Sequence, residues 1–233
     1  MKIGIVGAKG FVGSALCRNI HQNDEIIKIS KNNYNDEKLK TYDVLINSAM
    51  PSAKYWANTN PYEDFEKTVG LTADLAYNWK YEKFIQISTI SVENLDTPYA
   101  INKKAAETIM NFKNSLIIRL GTLYGNGLKK GPLFDLLNKN KIHTDKKSQF
   151  DFIDVDYCAK WIIENMNKNG LVTLAAKDTT SLEEIMKRFN IKGEFEGSIN
   201  NIFSKNIKND MPSSKDVFSF IENIQKLDHE GKT

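Results

Sequence analysis

The sequence predicts an α/β protein built on a doubly wound parallel sheet with a small C-terminal α/β lobe. Three observations carry this. Apolar runs of roughly five residues recur at 2–6, 26–29, 43–46, 84–87, 116–120 and 171–175, continuous rather than alternating, as for strands covered on both faces. Helical periodicities fall between them, and strand alternating with helix is the pattern of a parallel sheet. A glycine-rich turn joins the first run to the first helical segment.

The elements follow in order. After the first strand, Phe11, Val12, Ala15, Leu16 and Ile20 repeat at helix spacing. Between residues 29 and 43 there is room for one short crossover helix, around 36–41, but not for a further strand and helix, so the sheet is trimmed. Phe65, Val69, Leu71, Leu75 and Trp79 mark a helix over 62–80. Asp96 and Thr97 offer N-cap oxygens and Pro98 suits the first turn of a helix running to Met110. Beyond Asn126 the pattern predicts a short helix at 132–138, a polar loop at 139–148 and a helix at 156–167. Ser181 with Glu184 forms a capping-box pair opening another helix, and a last helix at 213–227 leads into a frayed tail at 228–233. The resulting division is 1–126 plus 149–180 for the sheet domain and 127–148 plus 181–227 for the lobe.

Composition narrows the function classes. The 233 residues, 41% hydrophobic and 26% charged, suit one domain or one and a half. Thirty-two basic and 29 acidic residues leave a formal charge of +3 without a basic run, so no nucleic-acid partner is expected. Cys17 and Cys158 are far apart and read as small buried apolar residues; His21, His143 and His229 lack ligand spacing and read as solvated, so no metal is expected. The apolar stretch at 3–6 is too short for a signal peptide or membrane span, which makes a cytoplasmic protein without a membrane partner the expectation.

Gly7-Ala8-Lys9-Gly10-Phe11-Val12-Gly13 lies between the first strand and the first helix. Glycines there let the backbone approach a pyrophosphate, which then faces free N–H groups and the positive helix end; a tight turn needing glycine is the plainer reading of the same spacing. An acidic residue at the end of the second strand would bond the ribose hydroxyl of NAD(H). This chain has Ser30 and Lys31 there, which favours NADP(H), unless Lys31 is an ordinary loop lysine. Tyr99 and Lys103 are four apart on one helix and share a face, while Ile101, Ala105, Ile109 and Phe112 form a face to be buried. A cation beside a phenol lowers its pKa toward neutrality, each unit being about 1.4 kcal/mol. Such a tyrosine exchanges protons with a hydroxyl or carbonyl. Alone, the pair also fits a boundary tyrosine beside a surface lysine. Two further strand ends converge on it: Ser88-Thr89 offers hydroxyls, and Asn47-Ser48-Ala49 offers small residues past which a cofactor could run.

With these residues in hand, the chain resembles the extended short-chain dehydrogenase/reductase family over about residues 1–180. The matching stretches are the Gly7, Gly10, Gly13 spacing, Asn47-Ser48-Ala49, Ser88-Thr89, Tyr99 with Lys103, residues 118–125 (Ile-Arg-Leu-Gly-Thr-Leu-Tyr-Gly), similar to the RPxxxYG segment, and residues 151–156, similar to DFIHVDD. Within the family, the stretch from Tyr99 to Glu107 is most similar to the 4-keto-6-deoxysugar reductases of the dTDP-4-dehydrorhamnose reductase type. The resemblance implies a Rossmann sheet, a bound NAD(P), Tyr99 as acid/base, Lys103 on the nicotinamide ribose and Thr89 orienting the substrate oxygen. The cofactor set is then Gly7, Lys9, Gly10, Phe11, Val12, Gly13, Ser30, Lys31, Asn47, Ser48, Ala49, Ser88, Gly121 and Thr122. Asp151, Asp154 and Asp156 become a strand-to-helix junction, with Asp156 near the N-cap.

The chain also departs from the family. Phe150 stands where an arginine often contacts a sugar nucleotide's pyrophosphate, with Lys146 or Lys147 as substitutes; Thr68-Val69-Gly70 replaces a common asparagine; and the Thr89-to-Tyr99 connection is short. Tyr55, Trp56, Tyr124 and Lys146 are candidate substrate contacts. The expected activity is reduction of a keto group on a sugar, nucleotide-linked, with an NAD-dependent epimerase or dehydratase and a non-catalytic dinucleotide sensor as alternatives. A homodimer through 62–80 and 100–112 is the expected assembly.

Overall fold

A computed structural model of the chain describes residues 1–110, 114–205 and 209–230, the side chains of 228–230 excepted. The chain opens with β1 (Lys2–Val6), α1 (Phe11–Asn19), β2 (Glu25–Ile29), α2 (Tyr34–Lys38) and β3 (Thr41–Asn47). There follow α3 (Lys54–Thr59), α4 (Pro61–Phe65), a π-helical turn at Glu66–Gly70, α5 (Leu71–Asn78) and β4 (Lys80–Thr89). A 3-10 turn at Ile90–Glu93 leads to α6 (Pro98–Met110), then β5 (Ser115–Leu120), β6 (Thr122–Tyr124), α7 (Pro132–Leu137), β7 (Lys141–Ile142), β8 (Gln149–Phe150) and β9 (Phe152–Asp154). The remainder is α8 (Val155–Glu164), β10 (Gly170–Leu174), β11 (Thr180–Ser181), α9 (Leu182–Phe189), β12 (Glu194–Phe195) and α10 (Val217–Glu230).

Six strands form one sheet in the order β10-β5-β4-β3-β1-β2, with β2, β1, β3, β4 and β5 pairing in parallel. This is a Rossmann-type α/β sheet. Strand order reverses between β1 and β3, the switch point at which such sheets bind ligands. β2 is an edge strand, where a fuller sheet would carry another strand, so the short connection after Ile29 has trimmed the sheet as expected. The continuous apolar runs are explained by burial: Ile3 to Val6 and Phe84 to Ser88 are covered throughout. Leu45, Leu75, Phe84, Met110 and Ile117 pack together in the core beneath them.

Two compact units divide the chain. The first is Met1–Leu120 with Asp156–Thr173, and the second is Gly121–Val155 with Leu174–Thr233. Residues 121–126, 149–155 and 174–180 thus group with the lobe rather than with the sheet. The reason is pairing: β6 runs parallel to β9, and β8 pairs with β11. The second unit's core gathers Leu136, Phe150, Phe152, Leu182, Ile185 and Ile221.

Several boundaries differ from expectation for local reasons. The helix expected over 62–80 is helical from Pro61 to Asn78 as α4, the π turn and α5; Asn60 leaves helical geometry between α3 and α4, and Lys80 already belongs to β4. α2 lies earlier than 36–41, since Thr41 pairs with Lys80 in the sheet. Within the loop at 139–148, Lys141–Ile142 pairs with Glu194–Phe195. The helix expected at 156–167 is shorter, Val155–Glu164. Ser181 accepts from Glu184 N at 3.1 Å, as its capping role requires. α10 continues through Glu230, so 228–230 extend a helix; residues 231–233 lie outside the described residues, as do Phe112 and the His229 side chain. Cys158 is buried but Cys17 is only half-buried, its thiol pushed up chiefly by burial.

Candidate active site

The switch point is shaped by glycine. Gly7 has φ +80°, and a Cβ on it would sit 2.7 Å from Ala49 Cα. At Gly13 a Cβ would meet Gly7 O at 2.2 Å. Gly10 N donates to Gly7 O at 2.8 Å, and Gly10 caps α1 without a side-chain hydrogen bond. The N–H groups of Phe11, Val12 and Gly13 therefore begin a helix with no side chain competing for them, a ready anion site. These features fit the pyrophosphate of a dinucleotide.

The other predicted cofactor residues divide. Ser48 N and Oγ both donate to Val6 O, at 3.0 and 2.7 Å, locking the end of β3 to β1. Asn47 is buried, donating to Gln86 Oε1 at 3.2 Å and Thr72 Oγ1 at 3.3 Å, while Ala49 N donates to its Oδ1 at 3.2 Å. Asn47 and Ser48 thus build the floor of the switch point. At the end of β2, Ser30 N and Oγ both donate to Asn33 Oδ1, and Asn33 Nδ2 donates to Lys28 O; Asn33 shapes this turn and Lys31 is exposed on it. Lys9 is exposed beside the cradle. Gly121 and Thr122 open the second unit, where a Cβ on Gly121 would lie 2.9 Å from Asp151 Oδ1.

α6 carries the candidate chemistry. Thr97 Oγ1 accepts from Ala100 N at 3.3 Å, the cap that its sequence position predicted. Tyr99 and Lys103 are 5% and 4% exposed, and the Lys103 ammonium lies over the Tyr99 ring, 5.3 Å from its centroid. The burial of α6 departs from expectation at Ile101, while Ile109 packs against the core. Ile101 is 52% exposed, whereas Tyr99, Lys103, Ala106 and Met110 are covered. Tyr99 and Lys103 lie on the buried face because spacings of four, three and four residues keep those side chains on one stripe.

The ionisation of Tyr99 also runs opposite to expectation. Its pKa is raised, first by burial and further by the negative charge of Asp64, while the Thr89 hydroxyl acts the other way. Lys103 sits over the ring, where it makes a cation–π contact, and burial of the phenol dominates. Thr89 ends β4, and its Oγ1 accepts from Ser91 N at 3.2 Å. Its neighbour Ser88 is committed elsewhere, donating to Glu107 Oε1 at 2.8 Å.

Glu107 was missed as a site-building residue. Fully covered on α6, it accepts from Arg119 Nε at 2.8 Å and Nη2 at 2.7 Å as well as from Ser88. Arg119 is held charged above its ordinary value by this carboxylate. The bidentate pair fastens α6 to β4 and β5, and with it the Tyr99 turn. The signal was available: Glu107 is two turns beyond Tyr99, on the same face of the helix.

The candidate substrate residues are scattered in kind. Tyr55 is 82% exposed. Trp56 is half-buried, with the Lys67 ammonium 4.4 Å from its ring centroid. Tyr124 packs in the second unit's core against Phe220, and Lys146 pairs with Glu183 at 3.2 Å. Lys54, at the start of α3, has its pKa lowered by burial, with Asp96 opposing. Asp156 is in the first turn of α8 and accepts from Arg18 and Asn19 of α1. No group of acidic, histidine or cysteine side chains among the described residues could hold a metal.

The sequence matches the NAD dependent epimerase/dehydratase family over residues 3–172, and the chain belongs to that family. It is similar to the crystal structure of a dTDP-4-dehydrorhamnose reductase from Clostridium acetobutylicum, with TM-score 0.75 and 17% identity over 97% of this chain and 100% of that one. A dTDP-4-dehydrorhamnose reductase from Bacillus anthracis in complex with NADP gives 0.74 and 15% over 95% and 99%. UDP-glucuronic acid 4-epimerase from Bacillus cereus in complex with NAD gives 0.66 and 20% over 85% and 88%. No curated protein matches the chain significantly.

Proposed function

We propose that this protein is an NADP(H)-dependent ketoreductase acting on a nucleotide-linked deoxysugar. The observation that carries the reading is the buried Tyr99, kept in its phenol form beside Thr89 and Lys103. The first helix turn and the glycines at 7, 10 and 13 hold the pyrophosphate, and Lys31 reaches the 2′-phosphate. When bound, the reduced nicotinamide supplies a hydride to the carbonyl carbon. Thr89 donates a hydrogen bond to the carbonyl oxygen and orients it, and Tyr99 delivers its proton to that oxygen as charge develops there. Lys103 contacts the nicotinamide ribose, and its charge over the Tyr99 ring compensates the phenolate left behind. An epimerase would begin with Tyr99 as a base, which a buried phenol with a raised pKa disfavours.

The substrate class rests on family membership and on the reductases whose fold this chain shares. A homodimer through 62–80 and 100–112 fits the exposure of Tyr62, Phe65, Tyr77 and Ile101 on those segments. No described helix is long and apolar enough to cross a membrane, and a nucleotide-sugar reductase would work in the cytoplasm, where its cofactor is found. Purified protein incubated with NADPH and a panel of nucleoside-diphosphate 4-keto sugars tests the reading. Stoichiometric NADPH consumption with formation of the 4-hydroxy sugar is expected. Interconversion of epimeric sugars on retained NAD, with no net oxidation of NADPH, would establish the epimerase instead.

A further inference from the structure

At the end of β2, both donors of Ser30 are engaged within the protein. Gly7 N donates to Ile29 O at 3.1 Å, so the next residue, half-buried Ser30, stands beside the glycine cradle. Asn33 occupies the N-cap position of α2 but makes no side-chain cap to that helix. Its Oδ1 turns back instead, accepting from Ser30 N at 2.8 Å and lying 3.1 Å from Ser30 Oγ, while its Nδ2 donates to Lys28 O at 3.0 Å. A backbone N–H can only donate and a backbone carbonyl can only accept, so these partners assign both ends of the Asn33 amide. Ser30 Oγ has one proton, which it gives to Asn33, and only lone pairs are left for a ligand.

We propose that Asn33 is a specificity-determining residue for the dinucleotide: by holding both Ser30 donors, it leaves Ser30 an acceptor for a ribose 2′-hydroxyl and leaves the 2′-phosphate to the Lys31 side chain. This inference deepens the NADP(H)-dependent reading and rests on it for the dinucleotide. A 2′-hydroxyl has a proton to give to such an oxygen, whereas a 2′-phosphate brings negative charge and acceptor oxygens, which a lone pair cannot satisfy. Lys31, exposed on the same turn, supplies the positive charge and the donors. Ser30 and Lys31, which together favour NADP(H) in the sequence, thus act in opposite directions, and Asn33 decides the sign for Ser30.

Direct binding tests this without turnover. Dissociation constants of NADH and NADPH for the full-length protein are measured by isothermal titration calorimetry, and the ratio of the NADH to the NADPH value is compared between variants. Ser30→Ala keeps the backbone N–H bond to Asn33 and removes the acceptor; it is expected to raise the ratio about threefold or more through weaker NADH binding. Asn33→Ala releases the Ser30 N–H and O–H toward a phosphate and is expected to raise the ratio through tighter NADPH binding, whereas Lys31→Ala lowers it. Should Asn33→Ala not fold, Asn33→Gly carries the same expectation. A ratio unchanged or lowered in Ser30→Ala, or in the folded Asn33 variant, overturns the proposal. Wild type that binds neither dinucleotide overturns it together with the NADP(H) reading. Wild type that binds them but reduces no keto sugar removes the ketoreductase reading alone and leaves the ratios to decide this one.

Discussion

Tyr99 and Asp151 are both acids whose pKa the fold raises, and burial is the largest cause in each. Asp151 has no exposed surface; it accepts from Thr122 N at 2.9 Å and Ser204 N at 3.0 Å, yet its pKa is pushed up to about 6. Removing a carboxylate from water costs more here than two backbone donors return. The consequence for stability has a definite sign. Between the unfolded carboxylate's pKa near 4 and about 6, the folded chain holds a proton that the unfolded chain has released. Stability from this group is therefore full at low pH and falls as pH rises through 6, by about 3 kcal/mol for a shift of roughly two units. Denaturant unfolding at about pH 4 and about pH 7 checks this, since wild type should lose roughly that much more than Asp151→Asn over the interval. Equal losses would show that Asp151 ionises normally. The sequence could not reveal this behaviour, because Phe150 and Phe152 mark a buried strand but not how completely the aspartate between them is covered.

At the scale of elements, the β1–α1 turn was the most legible feature, because a strand, three spaced glycines and a helix leave few alternatives. The structure adds the reason two of the glycines are needed: left-handed backbone at Gly7 and, at Gly13, an approach so close that a Cβ would lie 2.2 Å from Gly7 O. Gly13→Ala should destabilise the protein by about 1–3 kcal/mol through overpacking and weaken dinucleotide binding more than tenfold, both measurable by thermal unfolding with and without NADPH. Unchanged stability and affinity would mean that the turn relaxes freely. α6 was legible in its limits and its cap but not in its burial. Apolar spacing assigned the covered face to Ile101, Ala105 and Ile109, whereas the helix buries Tyr99, Asn102, Lys103 and Glu107. Asn102 and Glu107 are covered there because Asp64 accepts from the one and Arg119 and Ser88 donate to the other, a pairing across elements that single-helix periodicity does not encode. The start of α4 at Pro61 was readable from the proline, while the π turn inside that helical stretch has no comparable signal.

The whole molecule combines a trimmed sheet with a second compact unit assembled from two chain segments. Short spacings in the sequence gave away the trimming, but strand pairing between distant segments decides where one unit ends, and this places residues 121–126, 149–155 and 174–180 in the lobe. Assembly belongs to this scale too. Phe65 is exposed on α4 near Tyr62 in sequence, and covering such side chains is worth about 1.5–3 kcal/mol each. If the proposed dimer forms through this segment, Phe65→Asp should raise its dissociation constant at least tenfold, read by sedimentation equilibrium, with secondary structure unchanged. A wild-type protein that sediments as a monomer would remove this surface from the account.

In the proposed reaction a buried Tyr99 phenol donates the proton during reduction of a sugar ketone. This proton transfer is tested most directly by the rate of NADPH consumption in Tyr99→Phe against wild type, under saturating keto sugar and with cofactor affinity measured in parallel. The account predicts a fall in kcat of about 10²–10⁴-fold with cofactor binding retained. Turnover at the wild-type rate in Tyr99→Phe would contradict it.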